Sequence, residues 1–310
     1  MLEAVVETKG LAKSFDGVPA LTGLDLTVLP GEMFGLVGPD GAGKTTVIRL
    51  LCGILSPDSG TISVLGRDMQ RERETIKNEI GYLSQRFSLY GDLTVDENIQ
   101  FFAELHGVRD YARRREELLD FTRLSAFRRR LADRLSGGMK QKLALACTLI
   151  HEPRLVLLDE PTTGVDPVSR RDFWSVLAGL VRRRVTVILT TPYMDEAERC
   201  SRVGLLAGGK LAAVDTPDNL KRGMRETVLE INTEDNRRAY YVLRDSPDTK
   251  SVQLFGDRLN AVVADPAAAG RIEQVLANSG LKEVGLKKIS PSLENVFLSA
   301  AESELAEAKK

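Results

Sequence analysis

The chain has 310 residues and a mass of 34.1 kDa, a length that predicts about two domains with a core that needs no disulfide. Its 43 basic and 44 acidic residues give a net charge of −1, which argues against a protein that binds nucleic acid through a basic surface. With 43% hydrophobic and 28% charged residues, wholesale disorder, a collagen-like repeat and an integral membrane protein are excluded.

No run approaches the roughly 20 apolar residues that cross a bilayer, since the most apolar segments are Leu143–Ile150 and Leu155–Leu158. The N-terminal segment is acidic and lacks the basic and apolar regions of a secretion signal. The cysteines are far apart and form no metal-type cluster, so they are expected to be reduced, buried thiols of a cytosolic protein. They are Cys52, Cys147 and Cys200.

The first two thirds of the chain alternate strands and helices, a pattern that predicts a mainly parallel α/β sheet. Strands are expected at Glu3–Phe15, Leu24–Leu29, Glu32–Val37, Gly60–Leu65, Ile80–Leu83, Leu155–Leu158 and Val185–Thr190, with turn residues Asp16, Gly17 and Pro19 between the first two. Helices are expected at Lys44–Cys52 and Pro167–Val181, with a helical region from about Gln85 to Ile150. Thr94 followed by Glu97 predicts a helix start with a capping box.

The character of the sequence changes around Thr216–Arg225, which predicts a second domain. Its pattern predicts a βαββαβ unit, similar to a ferredoxin-like fold. The elements are expected at Thr227–Asn232, Asn236–Arg244, Val252–Leu254, Leu259–Ala264, Ala267–Asn278 and Leu281–Leu286. The charged tail Glu302–Lys310 is expected to fray.

A glycine-rich loop from Gly38 to Thr45 fits the pattern G-x-x-x-x-G-K-[ST] between an apolar strand and a helix. The glycines allow backbone N–H groups to face an anion, and the helix directs the positive end of its dipole to the same place. Lys44 is then expected to pair with the β- and γ-phosphates of a nucleotide, and the Thr45 hydroxyl to hold Mg²⁺.

The apolar run Leu155–Leu158 ends in two acidic residues, Asp159 and Glu160. A buried strand that delivers a carboxylate to Mg²⁺ has this pattern, with Asp159 as the metal-side acid. Glu160 is then placed to polarise the attacking water as a general base.

The segment Leu135–Gln141 contains Ser136, Gly137 and Gly138 at a helix start, which offers a hydroxyl, bare N–H groups and a dipole to an anion. One phosphate loop does not need a second phosphate site. The second site is therefore expected to serve a nucleotide bound by another copy.

In this order and spacing, the three motifs resemble the ATP-binding-cassette (ABC) ATPases over about Leu2–Leu220. The resemblance implies an α/β P-loop NTPase cassette, with a mainly parallel sheet, an antiparallel β subdomain and a helical subdomain at about 86–150. It implies a cassette at 1–222, and an α+β accessory domain is expected at 226–310. It also implies that ATP lies between the phosphate loop of one subunit and the Ser-Gly-Gly segment of another.

The resemblance assigns residue roles as well. Catalytic roles fall to Glu160, Lys44 and Gln85, and Mg²⁺ contacts to Thr45, Gln85 and Asp159; Gln85 also relays to the membrane partner. Nucleotide contacts fall to Phe15, Gly38, Asp40, Gly41, Ala42, Gly43, Lys44, Thr45, Thr46, Ser136, Gly137, Gly138 and Asp166. Purely structural interpretations stay open for three of them: a core position for Phe15, an ordinary loop position for Gln85, and a helix cap for Asp166.

The sequence departs from the family pattern at three positions. Asp40 stands where the family usually has Asn, and Met139 where it usually has Gln. Pro192 stands where the family has a histidine that contacts the γ-phosphate, and proline has no N–H and no titratable group. Neither of the two histidines, His106 and His151, is expected to substitute, so hydrolysis slower than in relatives is predicted unless Thr191, Tyr193 or a partner supplies the contact.

Two segments, Gln85–Val95 and Ser290–Leu298, resemble the branch that powers type-2 exporters, including the daunorubicin-resistance type. In that branch the C-terminal extension is thought to be regulatory or to stabilise the dimer. The clusters Arg113–Arg115 and Arg128–Arg130 are interpreted as solvated helix faces, or alternatively as the rim of the groove for a membrane subunit.

The resemblance therefore implies an ATP-hydrolysing subunit of an exporter, peripheral on the cytoplasmic face of the cell membrane and with no nucleic-acid partner. Its partners are a second ATPase subunit, in a homodimer or heterodimer, and a separate integral membrane permease. An ATP-gated dimerisation switch with little turnover is the alternative that Pro192 favours. A soluble ABC protein acting on ribosomes or DNA is less well supported, because the chain has one cassette and no sustained heptads.

Overall fold

In the computed structural model, residues 3–85, 89–263, 265, 267–281 and 284–307 are described. Parts of four predicted segments lie outside them: residues 86–88 of the exporter-like segment, 264 and 282–283 in two predicted strands, and 308–310 in the tail. Contacts divide the chain into two compact units, between Leu211 and Ala212. The domain bounds 1–222 and 226–310 stay a prediction, and each unit is described by itself.

The first unit contains nine strands within its described residues. They are β1 (Val6–Phe15), β2 (Val18–Val28), β3 (Met33–Val37), β4 (Ser59–Val64), β5 (Arg67–Asp68), β6 (Ile80–Leu83), β7 (Leu155–Asp159), β8 (Thr186–Thr191) and β9 (Arg202–Ala207). Its helices are α1 (Lys44–Leu51), α2 (Arg73–Glu79), α3 (Val95–Leu105), α4 (Ala112–Phe121), α5 (Gly137–Thr148), α6 (Pro167–Arg182) and α7 (Met194–Ala197), with 3₁₀ turns at Ser125–Phe127 and Ala132–Arg134.

Strands β9-β3-β8-β7-β6 form a parallel sheet, and β2-β1-β4-β5 an antiparallel one. Every residue of β3, β7 and β8 is buried, which explains their near-continuous apolar runs. Val37 of β3 pairs with Thr191, and Asp159 of β7 pairs with Thr190. Because parallel strands end at the same edge, this register places the phosphate loop, the two acids and the segment after β8 together. The predicted α/β fold class is confirmed.

Several element bounds differ from the prediction. Pro19 lies inside β2, which begins at Val18; β2 is an edge strand, where a residue without an N–H is tolerated. Helix α2 is largely charged and buries only Ile76, so its sequence carries no apolar periodicity. The short β5 was likewise not predicted. The strand expected from Leu281 begins at Gly285, while Leu281 itself is buried.

The capping box at the start of α3 is as predicted. The Thr94 hydroxyl accepts from the Glu97 N–H at 3.2 Å, and the Thr94 N–H donates to Glu97 Oε2 at 2.7 Å. Hydrogen bonds from Thr94 lower the pKa of the Glu97 carboxyl. The buried Asn98 side chain exchanges hydrogen bonds with the Tyr90 backbone and so fixes the loop that leads into α3.

The arginine clusters form ion pairs: Arg113–Arg115 lie on α4, as predicted, but Arg128–Arg130 lie in the turn after Ser125–Phe127, so the prediction of a helix face is wrong for them. Arg128 reaches Asp96 and Glu116 at 2.8 Å each, and Arg114 reaches Glu117 at 3.3 Å. Their alternative role, as a rim for a membrane subunit, stays a prediction.

Strand β10 (Lys210–Asp215) crosses the division between the units. The elements that follow are α8 (Pro217–Gly223), β11 (Thr227–Asn232), α9 (Asn236–Arg244), β12 (Ser251–Phe255), β13 (Arg258–Val263), α10 (Ala268–Asn278), β14 (Gly285–Ile289) and α11 (Leu293–Glu307). The strand order is β12-β13-β11-β14 with antiparallel neighbours, a split βαββαβ arrangement of the predicted α+β kind. Leu293 and Val296 are buried and anchor the start of α11. The helix continues to Glu307 and so includes the first part of the tail that was expected to fray.

Among the described residues, no helix is both long and apolar enough to cross a membrane. The cysteines are free and buried, as predicted, and burial raises the pKa of each thiol.

The two histidines of the chain stack on each other. The rings of His106 and His151 lie 4.0 Å apart at 11°, and His151 Nε2 lies 3.0 Å from the Ile80 carbonyl oxygen. Burial, with His106 adding, lowers the pKa of His151 to about 4, and burial also lowers that of His106. Lys77 and Cys52 line the same cavity of about 250 Å³. Because the pKa of each histidine is lowered, both rings are neutral at pH 7.

Acid is therefore expected to destabilise the fold through this pair. The unfolded chain takes up the protons near pH 6.5, so the contribution is complete above that pH and is lost as pH falls toward 4. We expect the free energy of unfolding to fall by about 1–2 kcal/mol from pH 7 to pH 5, discounted for the partial exposure of the rings. Chemical denaturation at both pH values measures this fall.

The matched variant is His106→Gln with His151→Gln, in which the titrating rings are absent and an amide remains to bond Ile80. We expect a shallower loss of stability between pH 7 and pH 5 than in the unmodified chain. An equal loss in both proteins contradicts a role for the histidine pair.

Candidate functional site

The phosphate loop connects β3 to α1, and its turn needs glycine at two close approaches. A Cβ on Gly38 would lie 2.2 Å from the Leu206 carbonyl oxygen, and one on Gly43 would lie 2.7 Å from that of Ala20. Gly43 also has φ of +104°, and Gly41 has +80°, a region that side chains disfavour. The backbone therefore folds back tightly before α1 begins.

The Lys44 ammonium is almost fully buried in this loop. It donates to the carbonyl oxygens of Gly38 at 2.9 Å and Pro39 at 3.0 Å, and it lies 3.2 Å from Glu160 Oε1. Asp40 Oδ1 is 3.8 Å from the same ammonium, but 93% of the Asp40 side chain is exposed. The unusual carboxylate of the loop is therefore solvated and has a cation beside it, which explains why it is tolerated.

Asp159 ends β7 and connects two threonine hydroxyls. Its Oδ1 accepts from Thr45 Oγ1 at 3.1 Å and from Thr190 Oγ1 at 2.7 Å. The Thr190 hydroxyl also accepts from the Glu160 N–H at 2.9 Å, so it orients both acids. Thr190 was not predicted as a site residue, because β8 contains three threonines and the sequence does not distinguish among them.

Glu160 has a left-handed backbone, with φ of +48°, directly after β7. Its side chain is 8% exposed, and Oε2 accepts from Gln85 Nε2 at 3.1 Å and from the Thr163 hydroxyl at 3.3 Å. A strained residue held by several partners is typical of a functional site. The predicted base and the predicted Gln85 relay are thus in direct contact.

These side chains meet at a cavity of about 350 Å³. Its lining is Phe15, Ala20, Asp40, Gly41, Gly43, Lys44, Thr45, Thr46, Gln85 and Glu160. Phe15 is 43% exposed at the end of β1, so it is not a core residue and its ring is available for stacking. The lining among described residues includes neither the Ser136–Gly138 segment nor Asp166.

The Ser136–Gly138 segment begins α5. The Ser136 hydroxyl accepts from the Met139 N–H at 3.3 Å, and both Ser136 and Gly137 are exposed to solvent. Gly138 is buried, and a Cβ there would lie 2.1 Å from Cβ of Ser169 on α6. One glycine of the motif is therefore required by helix packing.

Asp166 caps α6. Its Oδ1 accepts from the N–H groups of Val168 at 3.1 Å and Ser169 at 3.0 Å, and hydrogen bonds from Ser169 lower the pKa of its carboxyl. Asp166 is therefore a helix cap, as one of its two interpretations predicts. A contact with a second subunit stays a prediction.

The segment with Pro192 follows β8 directly. The Thr191 hydroxyl accepts from the Tyr193 N–H at 3.1 Å and donates its one hydrogen to Glu196 at 2.7 Å, so that hydrogen is not available to a γ-phosphate. The Tyr193 ring is 37% exposed and lies 5.3 Å from the Arg170 guanidinium. His106 and His151 are paired with each other, so neither takes the position of the family histidine.

The chain is similar in sequence to known ABC transporter proteins. A family model described as "ABC transporter" matches residues 21–163. The probable multidrug ABC transporter ATP-binding protein YbhF of Escherichia coli is 45% identical over 71% of this chain, which spans only 38% of that protein. The daunorubicin/doxorubicin resistance ATP-binding protein DrrA of Streptomyces peucetius is 36% identical over 94% of this chain and 91% of its own length.

A solved ATP-binding cassette, a dimer in a post-hydrolysis state bound to ADP and Pi, has a similar structure. Its TM-score is 0.62 at 25% identity, covering 68% of this chain and 98% of the solved one.

The packing of Gly138 leads to a prediction about stability. We expect Gly138→Ala to lower the free energy of unfolding by about 1–3 kcal/mol, because the added methyl overlaps Ser169. Thermal or chemical denaturation measures this loss.

Gly137→Ala is the matched control, since nothing lies within 4 Å of its added Cβ, and its stability should be unchanged or slightly higher. Adding Ser169→Gly to Gly138→Ala should restore part of the loss. Equal stability of the two alanine variants contradicts the packing argument.

Proposed function

We propose that this chain, which belongs to the ABC transporter family, binds and hydrolyses MgATP as the ATPase subunit of an exporter. One observation carries the proposal: Lys44, Thr45 and Glu160 line one cavity, and the buried Asp159 accepts a hydrogen bond from Thr45 at its edge. This arrangement combines a phosphate-binding cation, a metal-binding pair and a carboxylate base within a few ångströms.

The phosphate groups of ATP suit the loop because Lys44 and the N–H groups at the start of α1 offer positive charge. Mg²⁺ prefers oxygen ligands, and the hydroxyl of Thr45 and the carboxylate of Asp159 lie 3.1 Å apart, which fits that preference. Bound there, Mg²⁺ would neutralise charge on the phosphates. The Gln85 amide donates to Glu160 and orients it as the base that accepts a proton from water.

A second ATPase subunit completes the site in this proposal. Ser136 and Gly137 are exposed at a helix start but do not line the described cavity, so their anion-binding groups are available to nucleotide on another copy. The similar solved cassette is a dimer bound to ADP and Pi, which supports the proposal. Homodimers and heterodimers satisfy it equally.

Export is supported by the relatives. The DrrA protein is named for daunorubicin and doxorubicin resistance and YbhF as a probable multidrug transporter protein, and the chain covers most of the former. The membrane permease is then a separate polypeptide, and this subunit lies on the cytoplasmic face of the cell membrane. The near-zero net charge supports the absence of a nucleic-acid partner.

A second candidate is an ATP-gated dimerisation switch with little turnover. Pro192 favours it, because the segment after β8 has no titratable group at the position of the family histidine. The two candidates share nucleotide binding and differ in hydrolysis.

Steady-state MgATP hydrolysis by the purified chain at high concentration separates them. We expect turnover at least about 100-fold above that of Glu160→Gln, which lacks the base. Lys44→Ala should lose nucleotide binding as well. A rate equal to that of Glu160→Gln, with nucleotide still bound, supports the switch.

Pro192→His tests the missing phosphate contact. We expect kcat to rise about 3- to 10-fold, because an imidazole can donate a hydrogen bond to charge that develops on the γ-phosphate. Pro192→Ala is the control for removal of the ring. An unchanged or lower rate in the histidine variant shows that this contact does not limit catalysis.

A further inference from the structure

A buried carboxylate next to the site has no role in the proposed function. Glu196 in α7 is 1% exposed. One of its oxygens accepts from the Thr162 hydroxyl and the other from the Thr191 hydroxyl at 2.7 Å. Arg170 Nε lies 3.7 Å from the first oxygen. A buried carboxylate is unfavourable without such partners. Glu196, its two threonine donors and Arg170 therefore form one polar cluster.

The two hydroxyl donors belong to segments next to the predicted base, Glu160: one to the loop that follows it and one to the end of the neighbouring strand. Thr162 lies two residues after Glu160, in the loop that leads to α6, and Thr191 is the last residue of β8. The Glu196 carboxylate therefore bridges the loop of the predicted base to the end of the neighbouring strand.

That strand end also orients the acids directly. Thr190 bonds both Asp159 and the N–H of Glu160, and Thr191 is the next residue in β8. Because the two threonines are adjacent, a shift of Thr191 moves Thr190 and with it the backbone of Glu160. The left-handed φ of Glu160 makes that backbone dependent on its surroundings.

The start of the segment after β8 is connected to Glu196 through Thr191. Pro192 contributes no N–H, and the Tyr193 N–H bonds the Thr191 hydroxyl, which Glu196 holds.

We propose that Glu196 is a positioning residue for the hydrolysis proposed above: through Thr162 and Thr191, its carboxylate fixes the strand end and the loop that align Glu160. The proposal rests on the ATPase function. Glu196 does not line the described nucleotide cavity, so its effect falls on kcat and not on nucleotide affinity.

The first test is Glu196→Gln in the full chain. We expect kcat to fall about 10- to 100-fold, the range that a small misplacement of a reacting group produces. KM for ATP and the number of fluorescent ATP analogues bound per chain should stay within about twofold of the unmodified protein. Counting bound nucleotide separates misalignment from loss of folded protein.

Asp195→Asn is the matched control. Asp195 is the adjacent acid, but its side chain is exposed and its carboxylate bonds Arg170 at 2.9 Å instead of Thr162 or Thr191. We expect its kcat to stay within about twofold of the unmodified value.

A hydroxyl series gives a second route should Glu196→Gln fail to fold. Thr191→Val and Thr162→Val remove one donor each and are expected to lower kcat, whereas Thr191→Ser and Thr162→Ser retain the hydroxyl and should recover most of it. A merely structural role for these side chains predicts lower nucleotide stoichiometry in the valine variants instead.

Three results overturn the proposal. Unchanged kcat in folded Glu196→Gln overturns it while the ATPase function stands. Unchanged kcat in both valine variants does the same. If the unmodified chain is no faster than Glu160→Gln, the ATPase proposal fails and the positioning role fails with it.

Discussion

The pairing register between β7 and β8 is the constraint on which the site depends. It sets Asp159 opposite Thr190, so that one hydroxyl bonds the carboxylate of the first acid and the backbone of the second. Side chains alternate between the faces of a strand, so a slip of one residue would turn Thr190 away from both acids. Every residue of both strands is buried, so such a slip would force both strands to repack, and core packing and active-site geometry are therefore fixed by the same contacts.

Much of the site could be predicted because its motifs are contiguous in sequence. The phosphate loop needs glycines, a lysine and a threonine within eight residues, and the structure places Lys44 and Thr45 at the cavity. The βαββαβ order of the second unit was also visible, since its strands and helices have clear periodicities. Such patterns depend on the backbone geometry of one short segment, so the sequence of that segment is enough to predict them.

The rest depends on partners that are distant in sequence. Glu196 reaches Thr162 across 34 residues, and nothing in either segment alone marks the pairing. Likewise, the need for glycine at 138 comes from Ser169 on another helix, and the proline inside β2 is tolerated only because that strand is an edge. These properties appear only when the topology brings the segments together.

The buried thiols have a consequence for how this molecule can be observed. All three cysteines and the single tryptophan, Trp174, lie before residue 212, and the thiols are shielded and protonated in the fold. A thiol reagent should therefore react only when the first unit opens, at a rate set by that opening. Indole fluorescence originates in the same unit, so neither signal comes from a residue of the second. The chain thus has natural reporters for the unit that contains the phosphate loop, while the aromatic residues of the second unit are two tyrosines, Tyr240 and Tyr241, and two phenylalanines, Phe255 and Phe297.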